Sequence, residues 1–74
     1  MAKYGEVAKA LNAQLAAFLQ KQRGEMTLEL FSRKLGISVA TLNRLEQGIQ
    51  NSTLATLEQI TKRLNCKLKD IFPE

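Results

Sequence analysis

Hydrophobic residues recur every three or four positions along most of the chain, which is the spacing of helices with one apolar face. The first run predicts a helix over about residues 4–22, which Gly24 is expected to end. Its apolar stripe consists of Val7, Leu11, Leu15, Phe18 and Leu19. No stretch of useful length alternates as a β-strand does, so the chain is predicted to be all-α.

Capping residues divide the remainder of the chain into further helices. The next three helices each follow a hydroxyl side chain that can accept backbone N–H groups, and these predicted N-caps are Thr27, Ser38 and Thr53. Each of the three ends at a residue that tolerates the left-handed conformation, namely Gly36, Gly48 and Asn65. A short fifth helix is expected to cover Leu68, Ile71 and Phe72.

Apolar residues mark the inner faces of helices 2 and 4. Phe31 and Leu35 are expected to point inward from helix 2. The inner stripe of helix 4 is predicted to be Leu54, Leu57, Ile60 and Leu64. Five helices with short connections indicate an all-α architecture around one core.

The connection between helices 2 and 3 contains only Gly36, Ile37 and the capping Ser38. A turn this short crosses two helices steeply, and its glycine adopts a backbone angle that other residues resist. The small Ser32 suits the crossing on helix 2, and Leu42 would fill the angle from helix 3. This spacing predicts a helix-turn-helix motif over about residues 27–48.

Helix 3 has an inner and an outer face. Leu42 and Leu45, three residues apart, would pack inward. The outer face presents Val39, Ala40, Asn43, Arg44 and Gln47. Such a mixture of small, polar and basic side chains suggests a surface that meets a partner.

Composition narrows the function. Eleven Lys and Arg against seven Asp and Glu give a net charge of +4, which fits a polyanionic partner. The single Cys66 and the absence of histidine argue against a disulfide, a metal site, a cofactor and an enzyme. We expect Cys66 to be a small buried hydrophobe. With no signal peptide and no membrane span, we expect one cytoplasmic domain over residues 1–74.

Four segments in order resemble the Cro/repressor-type (Xre) helix-turn-helix family, and the resemblance covers positions 19–72. TLELFSRKLGIS is similar to the first helix of the motif and its turn. LNRLEQG resembles the run Ser-Arg-Ile-Glu-x-Gly, and NSTLATLEQITKRL resembles Asn-Pro-Ser-Leu-x-Thr-Leu. CKLKDIF resembles the closing Val-Ser-Leu-x-x-Leu-Phe. The resemblance implies a five-helix, lambda-repressor-like DNA-binding domain.

The chain departs from the family pattern at several positions. Leu28 replaces a glutamine that often touches a phosphate, and Ser32 and Ser52 replace the usual alanine and proline. Loop 49–52 lacks the customary basic residue, and RGEMT is one residue longer than the usual segment. Leu28 and Leu30 occupy positions that are usually polar. One of them is expected to cover Met26 and the stripe of helix 1, and the alternative is that either marks a surface for a partner.

The resemblance implies that helix 38–47 lies in the major groove of double-stranded DNA. The implied base-contacting residues are Val39, Ala40, Asn43 and Arg44. Arg44 would bind a guanine, and Val39 and Ala40 would meet thymine methyls or only begin the helix. Asn43 would pair with adenine or contact a phosphate. The predicted phosphate-contacting residues are Thr27, Ser38, Thr41, Gln47, Gln50 and Asn51.

Charged residues outside this set have structural interpretations. In the family, the glutamate at position 46 pairs with a basic residue of helix 1, and here Lys21 is the first candidate and Arg23 the second. The cluster of Lys62, Arg63, Lys67 and Lys69 is interpreted as a solvated face. Without the family, Arg44 too would be interpreted as a surface residue.

These expectations converge on a transcriptional repressor that binds a pseudo-palindromic operator as a homodimer. The chain ends soon after the fold, so we expect helices 4 and 5, with Ile71 and Phe72, to form the dimer surface. One alternative is an antitoxin, with a toxin as partner, or a restriction–modification controller that uses the same DNA-binding mode. Another is a protein-interaction module on this scaffold.

Overall fold

Five helices make up the regular structure of residues 4–73, which the computed structural model describes with side chains from Glu6 to Pro73. They are α1 (Tyr4–Arg23), α2 (Leu28–Leu35), α3 (Val39–Gln47), α4 (Leu54–Leu64) and α5 (Leu68–Ile71). The all-α prediction is confirmed, although Phe72 follows α5 and does not belong to it. Positions 1–3 and 74 of the predicted domain lie outside the described residues. No helix in the described part is long and apolar enough to cross a membrane.

The predicted capping residues begin and end the helices as expected. The hydroxyls of Thr27, Ser38 and Thr53 each accept the backbone N–H three residues later, at 3.1 Å. The three C-terminal residues are left-handed, with φ of 73° at Gly36, 71° at Gly48 and 52° at Asn65. Because these bonds form within one turn of the chain, local sequence is sufficient to place them.

A single apolar cluster draws at least one residue from every helix. Its fully buried members are Leu15, Leu19, Phe31, Leu35, Leu42, Leu45, Ile60 and Ile71. Phe18, Leu57, Leu64 and Cys66 are partly buried and pack against it. Cys66 is therefore less buried than we expected. Burying so many apolar side chains together is the main stabilisation of a domain of this size.

α3 lies between α1 and α2, while α2 also packs on α4 and α1 on α5. The predicted small residue Ser32 is buried on α2, and its hydroxyl donates to the Glu29 carbonyl at 2.8 Å. Leu42 is completely buried on α3, as the motif requires. The helix-turn-helix is thus supported on both sides.

Several apolar positions were assigned to the wrong side by helical periodicity. Leu54 is 83% exposed, because it is the first residue of α4 and lies beyond the edge of the core. Val7 and Leu11 are also exposed, since they precede the part of α1 that packs on the core at Leu15. Ile71, expected at a dimer surface, is a buried core residue.

Candidate nucleic-acid interface

α3 presents one face to the core and the other to solvent. Leu42, Leu45 and Glu46 are buried on its inner side. The outer side carries the four predicted base-contacting residues, all exposed: Val39, Ala40, Asn43 and Arg44. Since these positions fall on one side of a regular helix, they form a continuous surface that a flat or grooved partner can approach.

Arg44 and Asn43 differ in the bonds that their side chains already form within the protein. Arg44 makes no ion pair within the described residues, so its guanidinium N–H donors are available to a ligand. Asn43 Oδ1 accepts a hydrogen bond of 3.2 Å from Gln47 Nε2, which orients both amides along the helix. The Asn43 amide N–H groups remain available as donors.

The first turn of α3 gathers two of the predicted phosphate-contacting residues. Ser38 Oγ donates to Thr41 Oγ1 at 2.8 Å, and it accepts the Thr41 backbone N–H. The N–H groups of Val39 and Ala40 belong to the first turn, where no helical carbonyl precedes them. Free amides and the helix dipole make such a terminus suited to an anion. Thr27 caps α2 in the same way.

The loop after α3 contains two further predicted phosphate-contacting residues, Gln50 and Asn51. Asn51 Oδ1 accepts a hydrogen bond of 2.7 Å from Asn12 Nδ2 of α1, while Gln50 is only partly exposed. Ile49 in the same loop is 68% exposed. The loop is therefore tied to α1 and offers one apolar side chain beside its polar ones.

Glu46 is structural, and its partner on α1 is Arg23. The Arg23 Nε lies 2.9 Å and 3.1 Å from the two carboxylate oxygens, and Arg23 also donates to the Met26 carbonyl. The choice of Lys21 as first candidate is wrong, because Lys21 is exposed and lies about 200° around the helix from Arg23. Gln20 Nε2 donates to the Glu46 carbonyl at 2.6 Å.

Sequence reasoning missed a contact at the turn of the motif. Gln59 of α4 donates from Nε2 to the carbonyls of Leu35 and Gly36, at 2.8 Å and 2.7 Å. Gln59 is more than twenty positions from Leu35 and Gly36 in the sequence, so no local sequence pattern predicts the contact. By contrast, Leu28 packs against the core, whereas the Leu30 side chain is 54% exposed.

Cys66 carries a free thiol, and one lysine of the basic cluster on α4 is paired. Burial, with a smaller contribution from the nearby Asp70 carboxylate, raises the pKa of the Cys66 thiol. The thiolate is therefore disfavoured. Lys62 pairs with Glu58 at 3.4 Å on the exposed side of α4, as a solvated face would. No cluster of metal-ligating side chains occurs among the described residues.

Comparison with known proteins places these features in context. The profile of a family described as helix-turn-helix matches residues 19–71. The plasmid copy control protein CopR of Streptococcus agalactiae is 41% identical over 56 residues, which are 74% of this chain and 61% of that relative. The match therefore spans about three fifths of the relative's length. No solved structure gives a significant match.

Proposed function

The chain belongs to the Cro/repressor-type (Xre) helix-turn-helix family of DNA-binding transcriptional regulators, and from this membership we propose that it represses transcription by binding a specific operator with α3 in the major groove. The observation that carries the proposal is the outer face of α3. Four small, polar or basic side chains are exposed there above a fully buried underside, namely Val39, Ala40, Asn43 and Arg44.

Arg44 is the main reader of base sequence in this proposal. Its unpaired guanidinium forks onto O6 and N7 of a guanine. Asn43 contacts the neighbouring adenine, and its Oδ1 uses the lone pair that Gln47 leaves open. Val39 and Ala40 contact thymine methyls at the start of the helix.

Contacts to the phosphates of the DNA backbone then fix the position of α3 on the duplex. The six predicted phosphate-contacting residues surround its two ends and the start of α2: Thr27, Ser38, Thr41, Gln47, Gln50 and Asn51. Their hydroxyl and amide groups supplement the amides of the helix N-termini. Such contacts supply affinity without sequence preference.

The relative in Streptococcus agalactiae supports a regulatory setting for this chain. It is named as a plasmid copy control protein, and on this basis we propose that this chain limits the expression of a gene that governs copy number. Expression of a reporter gene placed downstream of the operator should increase when the protein is absent. A reporter that falls instead would identify an activator.

A second copy of the chain completes the operator-binding unit. A two-fold dimer places two α3 helices in successive major grooves, about 34 Å apart. A groove between α1, the loop after α3, α4 and the residue after α5 is lined by the apolar Leu11, Leu57 and Phe72 and by the polar Asn12, Asn51 and Ser52. The exposed Leu54 lies one turn before Leu57 on α4. A domain with one small core gains most from covering apolar surface, so we propose that the second copy packs on the apolar side chains of this groove and leaves Asn51 free to contact the DNA backbone.

Selection of bound DNA from a random pool, followed by gel shifts, tests the site assignment. Arg44→Ala should weaken operator binding by roughly 5- to 150-fold per half-site, since a bidentate arginine–guanine pair contributes about 1–3 kcal/mol. Arg33→Ala removes the same charge from α2, outside the predicted contact set, and should change affinity far less. Equal losses in the two variants would remove Arg44 from the base-reading set.

Salt dependence separates this function from a protein-interaction module. DNA binding should fall by about 10³–10⁵ between 50 and 200 mM salt if six to ten phosphates are neutralised. Binding to a protein partner, including a toxin, would change much less over this range. A chain that selects no DNA from the pool would contradict the proposed function.

A further inference from the structure

The turn between α2 and α3 decides where the outer face of α3 points. Only Gly36, Ile37 and Ser38 separate the two helices, so a small change at the turn moves every residue of α3 that faces a partner. The capping N–H groups of Gly36 and Ile37 bind the carbonyls of Ser32 and Arg33, but they leave the Leu35 carbonyl at the end of α2 without a partner in the turn. The turn therefore needs support from another element.

Gln59 supplies this support from α4. Its Nε2 lies 2.8 Å from the Leu35 carbonyl oxygen and 2.7 Å from the Gly36 carbonyl oxygen. A glutamine amide carries two N–H donors, so both bonds form at the same time. One side chain thus joins the end of α2, the turn and α4.

Gly36 is fitted to this contact as well as to the turn. A Cβ added there would lie 2.6 Å from Gln59 Nε2 and 3.1 Å from an Arg63 guanidinium nitrogen. Real Cβ atoms do not approach a nitrogen that closely, so any larger residue would displace the Gln59 amide. The absent side chain at position 36 is what allows the amide to reach both carbonyls.

We propose that Gln59 is a positioning residue for DNA recognition, which holds α3 at the angle that brings its base-facing side chains to the groove floor. The inference rests on the proposed function. Specific binding needs side chains placed within about half an ångström, whereas non-specific binding depends on phosphate charge. Loss of the Gln59 amide should therefore lower operator affinity more than affinity for random DNA.

Gln59→Met tests the proposal, because it keeps the length and neutrality of the side chain and removes only its donors. The ratio of operator affinity to random-DNA affinity should fall about tenfold, the loss expected when two hydrogen bonds that hold one geometry are removed. Thr61→Ala is the matched control on the same helix. Its hydroxyl bonds only to the Glu58 carbonyl within α4, so the ratio should stay within about twofold.

Amide hydrogen exchange in the DNA-free protein provides the second measurement. In Gln59→Met, amides of residues 36–42 should exchange faster while those of α1 keep their rates. An unchanged ratio, or unchanged exchange at the turn, would overturn the proposal. If the Met variant does not fold, Gln59→Asn provides the same comparison, because it keeps the amide but is too short to reach the turn.

The experiments distinguish an error in the proposed function from an error in the role of Gln59. A wild-type chain that binds no operator would contradict that function before any variant is compared, and with it the role of Gln59 in recognition. Faster exchange at the turn in Gln59→Met would still show that the amide holds the turn. Wild-type binding with an unchanged ratio in Gln59→Met would overturn the positioning role alone.

Discussion

At the scale of single residues, two left-handed glycines have different surroundings. Gly36 has φ of +73°, and a Cβ there would strike the Gln59 amide at 2.6 Å. Gly24, after α1, has φ of +54°, but a Cβ there would meet only the Lys21 carbonyl oxygen at 4.0 Å. Gly24 is thus required only for its left-handed backbone angle, whereas Gly36 is required both for its backbone angle and for the close approach of the Gln59 amide.

Alanine at the two positions should therefore destabilise the protein by different amounts. Gly24→Ala introduces only left-handed strain, about 1–2 kcal/mol. Gly36→Ala adds the loss of two hydrogen bonds, each of about 0.5–1.5 kcal/mol, so its total should reach roughly 2–5 kcal/mol. Urea unfolding followed by circular dichroism measures both changes. In a Gln59→Ala background the excess cost at Gly36 should disappear, and its persistence would contradict this account.

At the scale of helices, α3 is anchored to α1 through a buried carboxylate. The Glu46 side chain is 7% exposed and its Arg23 partner 29% exposed. Arg23 also holds the Met26 carbonyl, and Gln20 holds the Glu46 carbonyl at the end of α3. No buried side-chain nitrogen or oxygen in the described part lacks a hydrogen-bond partner, so the network holds the end of α3 without an unpaired polar atom.

Removal of the arginine should leave the buried carboxylate without its charged partner. Arg23→Ala should lower the free energy of unfolding by about 2 kcal/mol, less than the 3–5 kcal/mol of fully buried pairs because Arg23 is partly solvated. Lys21→Ala, two residues earlier on an exposed face, should change it by less than about 0.5 kcal/mol. Thermal or urea unfolding of the two variants decides between the candidates. Similar losses for both would argue against a specific Arg23–Glu46 pair.

At the scale of the whole molecule, each of the five helices carries at least one large apolar side chain that is exposed. Leu54 is the most exposed of them, and Leu11 lines the groove itself. Leu30 on α2 is also exposed, at 54%, but it does not line the groove. Leu54 and Leu11 therefore represent the surface that is proposed to contact a second copy, and Leu30 represents an exposed leucine elsewhere on the protein.

A charge placed on α4 one turn before the groove residue Leu57 should weaken the homodimer without unfolding the protomer. Leu54→Lys should raise the dimer dissociation constant about tenfold, since covering an unpaired lysine in place of an apolar side chain costs more than about 1 kcal/mol. Monomer stability should stay nearly constant because Leu54 is not part of the core. Leu30→Lys adds the same charge on α2 and should leave the dimer intact. Analytical ultracentrifugation would measure both, and a monomeric wild type would refute the proposed dimer.

Much of the fold is determined by local sequence, because its signals act within one helical turn. A hydroxyl before a helix accepts an N–H three residues later, and a glycine after it adopts a left-handed angle. These signals placed the helix-turn-helix and its exposed outer face without knowledge of the tertiary structure. Hydrophobic periodicity also placed the buried residues near the middle of helices 2, 3 and 4, which are Phe31, Leu42 and Ile60.

Only the tertiary structure decided which residues meet across the chain. Periodicity places Leu54 and Ile60 on one stripe, but it does not say where the core ends, so Leu54 was wrongly expected inside. Helix 1 offered two basic candidates for Glu46, and the rotation of α1 against α3 selects Arg23. Gln59 reaches the turn from a distant helix for the same reason. Caps and stripes depend on neighbours in sequence, whereas these contacts depend on how packed helices are rotated and offset, which no single helix encodes.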